Sequence, residues 1–419
     1  MNAFLDDLIR SLGSPLSKLV LQILVILVVA RACGVFMRRF GQPQVIGEIL
    51  AGIFLGPSLL QLAAPGVHGF LFPPGSAQQL YFLSQIGILL FMFIVGLELD
   101  AKAVRSQVGS VIVISGVSVA VPFAMGFGLA FLLFADYGPH DKSALGFALF
   151  AGIAMSITAF PVLARIIQEH GLTHTRLATM AITCAAVNDV TGWCLLAVVV
   201  GLVNSGSGAG AAWTIGLAAL YTLALLFVVR PFLNRRFDVV TKSVELSSGL
   251  LAFAFIALLA SAWITEIIGI HALFGAFLMG VAMPEHNGFR KKLTERIHDV
   301  TTVILLPLFF AFTGLRTQIG LLDDTQSWLV CALVLLVAIL GKFGGTALAA
   351  RFTGHGWRTS VLLGALMNTR GLMELIVLNL GYDLGILGPK IFTMLVIMAV
   401  VTTMMAGPIL RLLKPPAEA

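Results

Sequence analysis

Apolar runs of about 20 residues recur thirteen times along this 419-residue chain, and a helix of that length crosses the ~30 Å hydrocarbon core of a bilayer. They cover approximately residues 17–37, 43–62, 79–99, 107–134, 143–167, 177–203, 211–230, 246–267, 269–284, 299–315, 327–350, 359–382 and 390–412. Lipid offers no hydrogen bonds to the backbone, so each run has to be a helix. The expectation is an all-α polytopic membrane protein of about 13 transmembrane helices. The ninth run is short and reads either as a span or as a re-entrant segment. Composition agrees: 11% of residues are charged, against roughly 25% in soluble domains. A net charge of +6 would suggest an anionic partner in a soluble chain. Here the cations sit in short loops, where they set topology, and a nucleic-acid partner has no support. Cys33, Cys184, Cys194 and Cys331 fall in apolar runs without paired spacing, which argues against disulfides and resident metal sites. Asp6 and Asp7 precede the first run in place of a basic leader region, so no signal peptide is read.

Lys and Arg in the loops give the orientation. One side of the membrane collects 18 of them, the other 5, and only Arg31, Lys342 and Arg370 lie within helices. This asymmetry places the N-terminus outside and the C-terminus inside a cytoplasmic membrane. The regular alternation of loops also supports the count of spans, because one missed helix would scramble every loop after it.

Two short motifs recur at an offset of seven helices. Gly47, Leu50 and Gly52 of the second span match Gly275, Leu278 and Gly280 of the ninth; Leu90, Phe91, Gly96 and Leu97 of the third match Leu308, Phe309, Gly314 and Leu315 of the tenth. An odd offset reverses orientation, so spans 1–6 and 8–13 read as two inverted six-helix repeats joined by a linker helix at 211–230. Such repeats are characteristic of secondary transporters, whose sites lie at interrupted helices in matching positions of the two halves. The fifth span contains Ser156-Ile157-Thr158-Ala159-Phe160-Pro161, in which the proline removes a backbone donor and disfavours helix before it. The twelfth, its counterpart, contains Asn368-Thr369-Arg370-Gly371. If both unwind, their partial charges and freed carbonyls surround a cation site.

Ionisable residues deep in a membrane cost roughly 2.5–3.5 kcal/mol each on insertion scales and are usually functional. Asp189 lies near the middle of the run from Leu177 to Val203, beside Asn188. Its bland reading is a packing residue bonded to Asn188 or a threonine; its functional reading is a carboxylate that carries a proton in one state and a cation in another. Lys342 lies past the middle of its own run and has Asp189 as its expected partner. Arg370 and Glu374, four apart, either pair with each other or divide, with Arg370 against half-helix carbonyls and Glu374 facing a cavity. Glu48, between Gly47 and Gly52, is assigned to helix packing.

Together these segments resemble the monovalent cation:proton antiporters, in particular the cation:proton antiporter-2 branch. The resemblance runs through Gly41–Glu48, Gly96-Leu97-Glu98-Leu99, Ser156–Pro161, Asn188-Asp189 and Met367–Glu374, and so covers essentially the whole chain. It implies a homodimer in membrane lipid with a scaffold part (17–99 and 246–315), a mobile core (107–203 and 327–412), and interrupted helices 5 and 12 crossing. It also implies that Asp189 is the cation and proton carboxylate, Asn188 its neighbour, Thr158 a residue at the crossing and Lys342 the basic residue of helix 11. The polar breaks and charges themselves add Ser156 to the groups expected around the cation, and Arg370 and Glu374 to Lys342 as expected charge partners. Many relatives carry two adjacent acids where this chain has Asn188-Asp189, a pairing associated with electroneutral exchange, whereas Lys342 is of the kind found in charge-moving members. Some relatives append a soluble regulatory domain; none is expected in cis here.

The function expected is therefore exchange of Na+ or K+ for H+ by competition at Asp189, with no cofactor. A cation channel or gated potassium-efflux pathway would use the same polar centre, and a sodium-coupled symporter the same architecture. An intramembrane enzyme lacks its parts: no H-E-x-x-H, no G-x-S-x-G and no paired deep aspartates occur.

Overall fold

In the computed structural model, residues 14–413 are described, apart from 74, 99–107, 173–174, 206–207, 241–246 and 286–287. Loop charges at Arg10, Lys102, Arg105, Lys242 and Lys414, and the acids Asp6 and Asp7, lie outside the described residues. The helices that matter below are α1 (Pro15–Arg39), α2 (Gln44–Leu55), α3 (Ala77–Glu98), α4 (Val108–Tyr137), α5a (Ala144–Ser156), α5b (Phe160–Glu169), α6 (Arg176–Ser205), α7 (Ala212–Arg235), α8 (Ser248–Ile268), α9 (Ala272–Ala282), α10 (Phe289–Leu321), α11 (Thr325–Phe352), α12a (Trp357–Met367), α12b (Leu372–Asp383) and α13 (Pro389–Leu413).

Eleven helices among the described residues are long and apolar enough to cross a membrane, or twelve with α12a and α12b taken as one span. The expectation of thirteen spans is corrected at α9. It has 11 residues, about 16 Å at ~1.5 Å per residue, too short to cross alone. Its start explains the shortness: α8 ends at Gly269 in the left-handed conformation, and His271, at φ 81°, caps α9 by accepting from Leu273 N.

The chain forms two compact units. The first comprises Met1–Ser84, Gln107–Asp189 and Pro307–Ala419. Within it α2 packs against α1 and α10 through glycines. A side chain on Gly47 would collide with the Cys33 and Gly34 backbone, and one on Gly52 with Ala311; one on Gly314 would strike Ile49 and Gly52. Small residues let these helices approach to backbone contact, which is where packing energy comes from when lipid is as apolar as the side chains. The second unit comprises Gln85–Ser106 and Val190–Leu306. There Gly96 of α3 meets Gly280 of α9 backbone to backbone, and Ser261 of α8 donates to Gly275 O at 2.7 Å.

Several helices are irregular. α5 is interrupted at Ile157-Thr158-Ala159, and α5b opens with Pro161 in its first turn, as a proline that cannot donate requires. α12 is bent by 42° at Asn368–Gly371, where Gly371 allows close approach to Val162. Three spans contain π-helical turns, at Leu225–Val229, Thr301–Leu305 and Ile339–Gly344. Pro122 and Pro408 lie inside α4 and α13 without ending them.

A candidate cation and proton site

The two interruptions meet in the first unit. Ala159 N donates to Thr369 O at 3.0 Å, joining one break to the other, and Thr158 Oγ1 donates to Met367 O at 3.1 Å. Breaks in a lipid-embedded chain persist only where other groups take up the released donors and acceptors, and here each break supplies part of the other's need.

The C-terminal end of α5a is satisfied carbonyl by carbonyl. Its last four carbonyls have no intrahelical donor in a regular helix. Ile153 O accepts from Ile157 N and from Ser156 Oγ. Arg370 spans the next two, donating from Nη1 to Ala154 O at 2.7 Å and from Nη2 to Met155 O at 2.8 Å. Ser156 O takes the Lys342 ammonium. Two cations thus sit at the negative end of a half-helix, which favours them electrostatically. Arg370 also pairs with Glu374 at 3.2 Å, so the two sequence readings of Arg370 hold together: it does both. Its main chain is held in turn by Thr403, whose hydroxyl lies 2.9 Å from Arg370 N and 2.8 Å from Arg370 O.

The N-terminal end of α5b has no cap from the side chain of its own N-cap residue, Ala159. Asp189 supplies one, its carboxylate accepting the backbone N–H of Phe160, a donor at the positive end of the half-helix. Asn188 Nδ2 donates to Ser118 Oγ at 2.6 Å and to Thr158 Oγ1 at 3.3 Å. Lys342 Nζ donates to Ser118 O at 2.9 Å. The direct Lys342–Asp189 pair expected from sequence is not formed; Asp189 acts on the ammonium through space, while two carbonyls hold it. All seven residues singled out from sequence are within 3% of full burial. Ser156 enters through its carbonyl, since its hydroxyl bonds back to Ile153 O. Two participants were not given a role from sequence: Ser118, one serine in a run of small residues, and the side chain of Asn368, at the end of α12a. A lone serine or amide of this kind carries no mark that separates it from a packing residue.

What distinguishes the centre is its set of spare acceptors. Among the described residues, Asp189 Oδ1, Asn188 Oδ1 and the Asn368 amide oxygen are buried without a hydrogen-bond partner. Burying such atoms unpaired costs about 1–3 kcal/mol each, so the arrangement favours any species that supplies positive charge to oxygen, a proton or an alkali cation. Glu48 lies apart from this centre, buried on α2 with Gln44 Nε2 donating to it at 2.8 Å, and Gln44 also receives Arg165 at 3.3 Å.

Residues 23–413 match the family model described as "Sodium/hydrogen exchanger, transmembrane". The chain is 43% identical to the Na(+)/H(+) antiporter NhaS4 of Synechocystis over 94% of its own length and 96% of that protein's. It is 38% identical to cation/H(+) antiporter 17 of Arabidopsis thaliana and 33% to K(+)/H(+) antiporter 1 of Saccharomyces cerevisiae, and spans about half the length of each, 49% and 47%. The structure of the sodium proton antiporter MjNhaP1 from Methanocaldococcus jannaschii at pH 8 superposes with a TM-score of 0.70, covering 95% of this chain and 97% of that one, at 15% identity. That likeness is of fold.

Proposed function

Because the chain belongs to the sodium/hydrogen exchanger transmembrane family, a family of secondary transporters that couple a monovalent cation to H+, we propose that it exchanges Na+ or K+ for H+ by competition at the Asp189 carboxylate. The observation that carries this reading is the pair of partnerless oxygens, Asp189 Oδ1 and Asn188 Oδ1, buried where two interrupted helices meet. A proton on Asp189 neutralises the carboxylate. A cation does the same while drawing on the Asn188 oxygen, Thr158 Oγ1 and carbonyls at the breaks. The two cannot share the carboxylate, and a bare charge is costly to carry through the barrier, so only loaded forms cross and each passage swaps one ion for the other.

The finer architecture belongs to the same proposal. Thirteen segments, counting α9, form two inverted six-helix repeats joined by 211–230, with α5 and α12 crossing at their breaks. The glycine contacts support it: Gly52 against Gly314 becomes Gly280 against Gly96 when α2 is exchanged for α9 and α10 for α3, the relation an inverted repeat requires. The scaffold is 17–99 and 246–315 and the moving core 107–203 and 327–412. The protein is a homodimer in the cytoplasmic membrane, with the N-terminus outside and the C-terminus inside. One acid predicts one cation per proton; a Lys342 that also exchanges its proton makes the cycle electrogenic.

Reconstituted in vesicles with a pH-sensitive dye, the protein is expected to move protons on addition of Na+ or K+. Asp189→Asn is expected to abolish that exchange in protein that still inserts and folds. Cation flux persisting without proton counter-movement would identify a channel instead, and exchange surviving in Asp189→Asn would end the single-carboxylate mechanism.

A further inference from the structure

The seat of Lys342 has two carbonyls, and each is free for a backbone reason. Ser156 O ends a half-helix. Ser118 O sits in the middle of α4, where a carbonyl is ordinarily taken by the N–H four residues on. That residue is Pro122, which has no N–H to give. The Lys342 ammonium fills the vacancy at 2.9 Å. Gly341, next to the lysine, brings its own helix onto this spot: a Cβ there would come within 2.9 Å of Pro122 Cα. Lys342 itself lies in the π-helical turn Ile339–Gly344, an insertion that re-aims side chains and is frequent at functional sites.

The same device occurs a second time. Pro408 in α13 releases Met404 O four residues earlier, and Gln42 Nε2 donates to it at 3.2 Å. In both cases an intrahelical proline makes an acceptor for a side chain from elsewhere in the chain, Lys342 of α11 at Ser118 O and Gln42 of the α1–α2 connection at Met404 O. At Met404 the donor is a neutral amide that cannot change charge. At Ser118 it is a titratable ammonium, and it faces Asp189 and Cys184 of α6 and Arg370 and Glu374 of the α12 break.

We propose that Pro122 is a positioning residue for Lys342: by freeing the Ser118 carbonyl it makes half of the lysine's seat, and through that seat it sets the pH at which Lys342 gives up its proton during transport. The inference rests on exchange at Asp189 with Lys342 as a second proton carrier. A restored amide at position 122 would reclaim Ser118 O for the helix and leave the ammonium with Ser156 O alone, so the charged form of the lysine loses one charge-assisted bond. A bond to a charged group is strong enough to move a titration by about one pH unit, a tenfold change in proton affinity.

The test is the pH profile of cation-driven proton movement in vesicles for the wild type, Pro122→Ala, Lys342→Gln and the double variant. Pro122→Ala is expected to shift the midpoint of the lysine-dependent limb to lower pH by about one unit. In the Lys342→Gln background, which has no such limb, the same change is expected to leave the profile in place. Pro408→Ala, the same chemistry at the amide-filled carbonyl, is expected to leave the midpoint in place as well. Pro122→Ser restores the same amide and serves where the alanine variant inserts poorly. A midpoint unmoved by both Pro122 variants, or moved equally with and without Lys342, overturns the proposal. Absence of exchange in the wild type would instead count against the reading it rests on.

Discussion

Arg316 and Lys342 are both cations on membrane helices, and they are held in opposite ways. Arg316, in α10, pairs with Asp383 at 2.7 Å at the end of α12b, bonds Asn379 Oδ1 at 3.1 Å, and lies 4.4 Å from the Phe312 ring centre, with Tyr81 and Tyr382 at 5.3 and 5.2 Å. A carboxylate neutralises it, aromatic faces cover it, and it is still a fifth exposed. Lys342 is fully buried with carbonyl dipoles for neighbours and, among the described residues, no carboxylate in contact. A cation that owns its counter-ion is a fixed strut. A cation held by dipoles remains responsive to whatever charge arrives beside it, and under the exchange proposed at Asp189 that charge changes in every cycle. Arg370 combines the two: it owns Glu374 and also holds two carbonyls.

That double duty makes Arg370 the place where the comparison is most severely tested. Arg370→Gln leaves Glu374 buried without its partner and strips the donors from Ala154 O and Met155 O, a loss expected to cost about 3–5 kcal/mol. Thermal unfolding of the purified protein should show it as the largest drop of any variant here. Adding Glu374→Gln removes the stranded charge, so the double variant is expected to be less destabilised than the sum of the singles. Additive costs would show that the pair is not coupled.

Lys342→Gln separates role from stability. The neutral amide can still donate to one of the two carbonyls, so the expected cost is about 1–3 kcal/mol, below that of Arg370→Gln. Its larger effect should be on transport: with Lys342 as a second proton carrier, voltage dependence and the lysine-dependent limb of the pH profile should vanish together. If the variant still moved net charge, Lys342 would not be the second proton carrier.

Much of this centre was readable in one dimension because its chemistry breaks membrane rules. An acid at mid-span, a polar run into Pro161 and the seven-helix offset each cost too much to be accidental, and they led to Asp189, Thr158 and both breaks. What could not be read is what the backbone does between the rules. Three π turns leave no compositional mark, and a proline inside a span looks the same whether its freed carbonyl goes to a lysine, as at Ser118, or to a glutamine, as at Met404. The Lys342–Asp189 pair was expected because opposite charges attract. The competing claim of two orphan carbonyls depends on which helices touch, and only the fold supplies that. The ninth run is cut to the short α9 for a similar reason: hydropathy marks where a helix is tolerated, while Gly269 and His271 decide where it starts.

Arg316→Ala should sit lower on the scale. Its ion pair is partly in contact with solvent and worth at most about 1 kcal/mol, and its stacking on aromatic rings adds about 0.5–1 kcal/mol. The expected loss is about 1–2 kcal/mol, reduced at high salt because part of it is screened, whereas the cost of Arg370→Gln should hardly respond to salt. A cost for Arg316→Ala as large as that for Arg370→Gln would mean that ownership of a counter-ion does not separate the two classes of cation.

The smallest effect belongs to Asp324, where the comparison reaches groups in solvent. It caps α11, accepting Ser327 N at 2.5 Å, and takes Lys390 at 3.0 Å, joining the start of α11 to the start of α13. The Ser327 backbone N–H, then the Lys390 ammonium, hold its carboxyl down from 3.8 to about 2. Because the unfolded chain binds this proton more readily than the folded one, the stabilisation is complete above pH 3.8 and is lost as pH falls toward 2. An asparagine in place of the acid would keep a capping oxygen but not the charge. Asp324→Asn is therefore expected to unfold almost like the wild type at neutral pH and to lose less stability than the wild type as pH falls from 3.8 toward 2. Parallel losses in the two proteins would place that acid limb on other carboxylates. A divergence confined to this window would show that a solvent-facing carboxylate tunes only acid tolerance, in contrast to the buried charges at the breaks.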